Sequence, residues 1–189
     1  MAGGICHGFT LAVCCAGAGT ARGRVVSAPA WAAGPGIGKM RAFHRKTDMS
    51  RLSLQQARTL IDAALACARE HGFKPMGIVV VDAAAQVVAS AREDGASALR
   101  LEIALGKTGA AIGMGVNSRA LVARTKDLPA FFGAVASTAS QPFIPQTGAV
   151  LITDAAGAVI GAAGASGGTG DEDEQIVIAG ILAAGLGHG

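Results

Sequence analysis

Lys107 is the residue best placed to do chemistry. It lies in an otherwise apolar stretch, Ala104-Leu105-Gly106-Lys107-Thr108. A lysine held against apolar surface can bind a carboxylate, or act as a base once desolvated. The plainer alternative is a stem lying along a helix with its ammonium in water. A second feature is the glycine run Gly164 to Gly170, followed at once by Asp171-Glu172-Asp173-Glu174 and an apolar helix. Such a bend can cradle an anion on backbone amides at a helix N-terminus, here those around Gly167 with the Ser166 hydroxyl. Four acids would repel phosphate, however, and loop geometry alone also accounts for the glycines. The acids have the oxygen donors a hard cation needs. Successive helical residues point about 100° apart, so all four cannot converge on one ion, and no metal site is expected. Asp171 is expected to cap the helix while its neighbours complement the dipole. The sharper expectation is that Asp173 or Glu174 turns inward to meet Lys107. The ligand-binding set is therefore Lys107, Thr108, Ser166, Gly167, Asp173 and Glu174, with no catalytic residue assigned.

These groups must be positioned by regular elements. Ala57, Leu60, Ile61, Ala64, Leu65 and Ala68 form one helical stripe. Ser53 and Gln56 make a capping box, and His71-Gly72 ends the helix. Gly77 to Val81 is a buried strand that turns at Asp82 to Gln86 and returns over Val87 to Ala91. Ala96 to Gly113 reads as the helix carrying Lys107, with Ser97 as a cap. Asn117 or Ser118 caps a short helix through Arg124. Pro129 opens another segment with Phe131 and Phe132, and Ser137 to Thr147 reads as a long loop. A second hairpin, Val150 to Ile160, repeats the first in part: V-V-D-A-A-A-Q-V-V against I-T-D-A-A-G-A-V-I. The last helix is expected from Gln175 to about Ala184. Tight strand pairs separated by helices imply an α+β fold, two hairpins in one antiparallel sheet flanked by helices.

Composition narrows the function. The 189 residues suffice for one ordinary domain. Residues 1–48 carry six basic residues and one acid, whereas the remainder carries ten basic and twelve acidic residues. The excess basicity thus sits outside the domain, which shows no nucleic-acid footprint. Six Phe, one Trp and no Tyr leave little for base stacking. Residues 5–19 are apolar but too short to span a membrane, and no basic residue precedes Arg22. Residues 1–48 are expected to be a non-globular leader or a mis-called start, with the domain over 49–189. A lone Cys67 in the domain fits a reducing, cytoplasmic setting. A secreted protein is the alternative, should the leader be a signal.

The chain resembles the GlcG-like family of haem-degrading or haem-binding domains (domain of unknown function 336). The resemblance rests on Val79-Val80-Val81-Asp82-Ala83, Asp94-Gly95-Ala96, Ala104 to Thr108, Pro142-Phe143-Ile144-Pro145, and Gly161 to Glu174. It covers roughly Leu52 to Ala184. It implies a five-stranded antiparallel sheet, oligomers built from dimers, and affinity for haem, a corrinoid or another small ligand. One departure is the first hairpin turn, where Ala84-Ala85-Gln86 replaces the glycine that relatives often place there. Either the turn differs or it carries strain.

The resemblance leaves the iron without an obvious ligand. His71 is expected to serve as a helix cap, His188 lies in a Gly-rich tail, and Met76 and Met114 read as core. The leading expectation is a small-ligand protein of the haem type, with a site between the Lys107 helix and the Gly164–Glu174 bend. An alternative is a cofactor-independent lyase or hydrolase acting on a small carboxylic acid, in which Lys107 and Asp173 divide anion binding and proton transfer. A structural module within an oligomer is the third reading.

Overall fold

The computed structural model describes residues 51–189, so the leader expected over 1–48 lies outside the described residues. In chain order the elements are α1 (Leu54–Glu70), β1 (Gly77–Asp82), β2 (Val87–Arg92), α2 (Arg100–Met114), α3 (Ser118–Asp127), α4 (Pro129–Thr138), β3 (Ala149–Thr153), β4 (Val159–Ser166), α5 (Gly170–Ala183) and β5 (Gly187–His188). The sheet order is β2-β1-β4-β3-β5, and every pairing is antiparallel. The expected α+β architecture of two hairpins is present, joined side by side through β1 and β4.

Both faces of the sheet are covered, and this explains the unbroken apolar run in β1. Alternate side chains leave a strand on opposite faces. Ile78 and Val80 pack with Leu60, Ile61 and Ala64 of α1 and with Ile176, Val177 and Ile181 of α5. Val79 and Val81 face the other way, with Ala104 and Ala111 of α2. Gly164 in β4 lets α2 lie close. A Cβ there would come within 2.8 Å of Thr108 Cγ2 and 3.0 Å of the Ala104 carbonyl.

Several boundaries differ from the sequence expectation. α2 begins at Arg100 rather than Ala96, and neither Ser97 nor the N-cap Leu99 caps it through a side chain. α4 continues to Thr138, so the following loop is shorter than expected. Asn117 occupies the cap position of α3, but its Oδ1 accepts from Leu151 N at 2.8 Å while Ser118 Oγ accepts from Ala149 N at 2.9 Å. Both side chains secure β3 instead of the helix. α5 starts at Gly170, not Gln175, with Thr169 and Glu172 in a reciprocal capping box. Asp171 is therefore inside the helix and not its cap. The tail around His188 forms the edge strand β5, paired with Ile152 and Thr153.

The two hairpin turns solve one problem in the same way. Asp82 Oδ1 accepts from the amides of Ala84 and Gln86, and Asp154 Oδ1 accepts from those of Ala156 and Ala158. The third turn residue is left-handed in both, with φ of 81° at Gly157 and 60° at Ala85. The strained alternative is thus realised at Ala85. A Cβ costs roughly 1–2 kcal/mol in that region. Replacing Ala85 with Gly removes that cost but adds chain entropy to the unfolded state, for a net gain of about 0.5–1 kcal/mol. Urea unfolding of Ala85→Gly should show this gain, and Gly157→Ala should show a loss of similar size.

Candidate functional site

The face of α2 that carries Lys107 meets the end of β4 and the first turn of α5. Lys107 Nζ donates to Asp173 Oδ2 at 2.6 Å and to the Ala165 carbonyl at 3.1 Å. The two side chains are only 7% and 2% exposed. Asp173 Oδ1 accepts from Gly168 N at 3.1 Å, which ties the carboxylate to the glycine bend. Gly148 closes the back of this pair. Its φ is 120°, and a Cβ there would sit 2.8 Å from both Lys107 Nζ and Asp173 Cβ. Burial is the largest influence on Asp173 and pushes its carboxyl above the usual carboxylate range. Lys107, the Gly168 amide and Arg100 pull against it.

The expected inward acid is therefore Asp173, and Glu174 is not part of the site. Glu174 and Asp171 both pair with Arg119 of α3, the former without reaching Lys107. These carboxylates hold the exposed Arg119 guanidinium well above its ordinary pKa. Thr108 also lies elsewhere. It is fully buried, and its Oγ1 donates to the Leu105 carbonyl at 2.8 Å. Gly167 is packed against Met76 and Pro75, where it allows close approach of the bend, and it is not among the residues lining the adjacent cleft.

A cleft of about 420 Å³ opens beside the buried pair. Lys107, Asp173, Ser166, Gly168 and Gly170 form its floor, and Ile103 and Ile144 form an apolar wall. Gln146, Thr147 and Asp171 lie on the rim. Arg100, which the sequence reading missed, completes it. Its Nη1 donates to Ser166 Oγ at 3.3 Å. Among the described residues no carboxylate lies within ion-pair distance of it. The available signal was spacing: Arg100 precedes Lys107 by seven residues, two helical turns, which puts both on one face. The cleft is lined by two cations, Arg100 and Lys107, and two carboxylates, Asp173 and Asp171. Asp173 is paired with Lys107 and Asp171 with Arg119, so Arg100 is the cation left to receive an anion.

The other groups considered are engaged elsewhere. His71 is the C-cap of α1. Its Nδ1 donates to the Cys67 carbonyl at 2.9 Å, leaving Nε2 to accept from Gln175 at 3.2 Å. Burial, aided by Glu70, pushes the Cys67 thiol up, away from the reactive thiolate. Met76 is fully buried, and Met114 packs beside Phe132. Among the described residues no three His, Cys, Asp or Glu side chains are grouped to hold a metal ion. No helix among them is long and apolar enough to cross a membrane.

A family model described as "Haem degrading protein HbpS-like" matches residues 52–182. The chain belongs to the HbpS-like family. Its fold recurs in the crystal structure of a PduOC–haem complex (TM-score 0.65, 24% identity, covering 72% of this chain and 97% of that one). It recurs again in HbpS (TM-score 0.61, 26% identity, 70% and 89%) and in the Klebsiella pneumoniae protein ORFY of the DUF336 family (TM-score 0.64, 22% identity, 71% and 90%). No curated protein matches the sequence. The resemblance drawn from the sequence motifs is thereby established at the level of family and fold.

The buried pair makes a clear energetic prediction. Removing one partner leaves the other charged, buried and unpaired, at a cost of about 3–5 kcal/mol. Lys107→Met and Asp173→Leu should each lose stability on that scale in urea unfolding. The double variant should recover at least about 2 kcal/mol relative to either single change, since apolar replacement of a whole buried pair is often neutral. Additive losses would show that the two charges do not support one another.

Proposed function

We propose that this protein binds haem or a closely similar tetrapyrrole, and that a carboxylate of the ligand is seated in the cleft between Arg100 and Ser166. The observation that carries this reading is Arg100, a guanidinium lining the cleft beside Ser166 with no carboxylate within ion-pair distance among the described residues. Lys107 is already committed to Asp173, so it acts as a buttress and Arg100 receives the incoming anion. Ile103 and Ile144 offer the apolar wall that a macrocycle requires. The cleft volume falls in the usual range for small-molecule sites, about 300–1,000 Å³. Membership of the HbpS-like family and the PduOC–haem complex among the structural relatives support haem as the ligand. Neither points to a corrinoid, and that expectation is not carried forward.

The fit to haem is partial. The carboxylate edge is well served, but no His, Cys or Met lines the cleft to ligate iron. The polar lining therefore also suits a small carboxylic acid held without any iron.

Titration with haem should change the Soret absorbance at micromolar concentration. Arg100→Ala should weaken binding about ten- to a hundredfold, the scale of a lost hydrogen bond to a charged group. Arg124→Ala should leave it unchanged, because that guanidinium lies over the Phe132 ring and does not line the cleft. An unaltered spectrum would defeat the haem reading. Equal affinity in Arg100→Ala would defeat the proposed seat.

Self-association is proposed on the strength of the family resemblance, with β2 as an edge strand and α4 burying only Phe132. Size-exclusion chromatography with light scattering should give a dimer or larger. A monomer at tens of micromolar would overturn it.

A further inference from the structure

The pair of Lys107 and Asp173 is more than a buttress requires. A carboxylate seat needs one cation, and Arg100 supplies it. Yet the cleft floor also holds an amine and an acid in direct contact at 2.6 Å, both buried and both lining the cavity. Arg100 and Lys107 stand two turns apart on one face of α2, donate to the consecutive residues Ser166 and Ala165 of β4, and line the same cleft. A ligand whose carboxylate is taken by Arg100 therefore shares the cavity with Lys107 Nζ.

We propose that Lys107 forms an imine with a small 2-oxo acid, with Arg100 holding the carboxylate and Asp173 moving the protons. The pair starts as ammonium and carboxylate. Asp173 takes a proton from Nζ, and the freed lone pair attacks the carbonyl carbon. Asp173 gives its proton to the carbonyl oxygen as the C–N bond forms, then removes one from the nitrogen, leaving a neutral carbinolamine. A second transfer from Asp173 to the hydroxyl releases water as the nitrogen lone pair completes the C=N bond. The sum is one ammonium and one carbonyl converted to one protonated imine and one water. Charge is unchanged, and no oxidant or reductant is consumed. Asp173 ends as a carboxylate beside the iminium, so the buried site is never left with an unpaired charge. Burial, which raises the Asp173 pKa, favours its transient protonated form. The iminium then acidifies the neighbouring C–H bond, which opens carbanion chemistry. The proposal shares the Arg100 seat with the haem reading but does not need haem to bind.

The test treats the full-length protein with pyruvate and sodium borohydride, followed by peptide mass mapping. Lys74 and Lys126 are exposed and serve as internal controls. Lys107 should carry the reduced pyruvyl group at least about tenfold more than either, as expected for a positioned amine. Acetate, which competes for Arg100, should suppress the label on Lys107 alone. In deuterium oxide the protein should exchange the methyl protons of pyruvate, and Lys107→Arg should abolish that exchange. Label on Lys107 no greater than on Lys74 and Lys126 overturns the proposal. This ratio is read on the wild-type protein and does not depend on any variant folding. A haem titration on the same preparation separates the two readings. A Soret change without preferential label leaves haem binding and removes the imine, and the converse removes haem.

Discussion

The contact between Lys107 and Asp173 sets the terms for the rest of the site. Two opposite charges withdrawn from water are costly unless each is fully hydrogen-bonded, and replacing such a pair by apolar residues is often neutral or better. Here the backbone adds one partner to each group: the Ala165 carbonyl for the ammonium and the Gly168 amide for the carboxylate. The Ala165 carbonyl lies just past the last β3–β4 register pair, Ala149 with Gly164, and the Gly168 amide comes from the bend between β4 and α5. The pair, the bend and the helix start are one unit, and none of them keeps its geometry without the others.

The glycines have distinct physical tasks within that unit. Gly148 leaves space for the buried pair and adopts a left-handed conformation. Gly164 allows α2 to approach β4, which brings Arg100 and Lys107 to the strand end. Gly170 would meet Thr147 at 2.8 Å if it carried a Cβ, so it fixes the distance between the α5 start and the cleft rim. The bend that suggests an anion cradle in the sequence therefore works chiefly as a spacer. Its two amides aimed at carboxylates are both spent within the chain, that of Gly168 on Asp173 and that of Thr169 on Glu172.

Much of the architecture was legible in the sequence. The stripe of α1, the Ser53 capping box and both Asp-led hairpin turns follow from local rules, and the structure contains each of them. The inward turn of an acid towards Lys107 was also readable, since a lysine in an apolar helix needs a partner. Which acid turns inward was not, because Asp173 and Glu174 differ only by the rotation of α5. That rotation depends on where the helix starts. Thr169 and Glu172 start it five residues earlier than apolar periodicity indicates, with the acids themselves inside the first turn. Arg100 was not legible because the start of α2 has no side-chain cap and lies four residues after Ala96, the start that the sequence pattern suggests. Asn117 and Ser118 carry the side chains of helix caps but act on β3, a tertiary demand that no local pattern announces.

The segment opposite the glycine bend is attached to α2 through its backbone. Ile144 N donates to the Gly106 carbonyl at 2.8 Å, while Gly106 and Gly109 give the segment room to lie flat on the helix. The frame of the cleft is thus laid largely by atoms common to all residues, with the Gln146 side chain exposed at the rim and Thr147 packed against Gly170. Substitutions at the rim can therefore alter what the cleft admits while Arg100 and Lys107 stay tethered to β4.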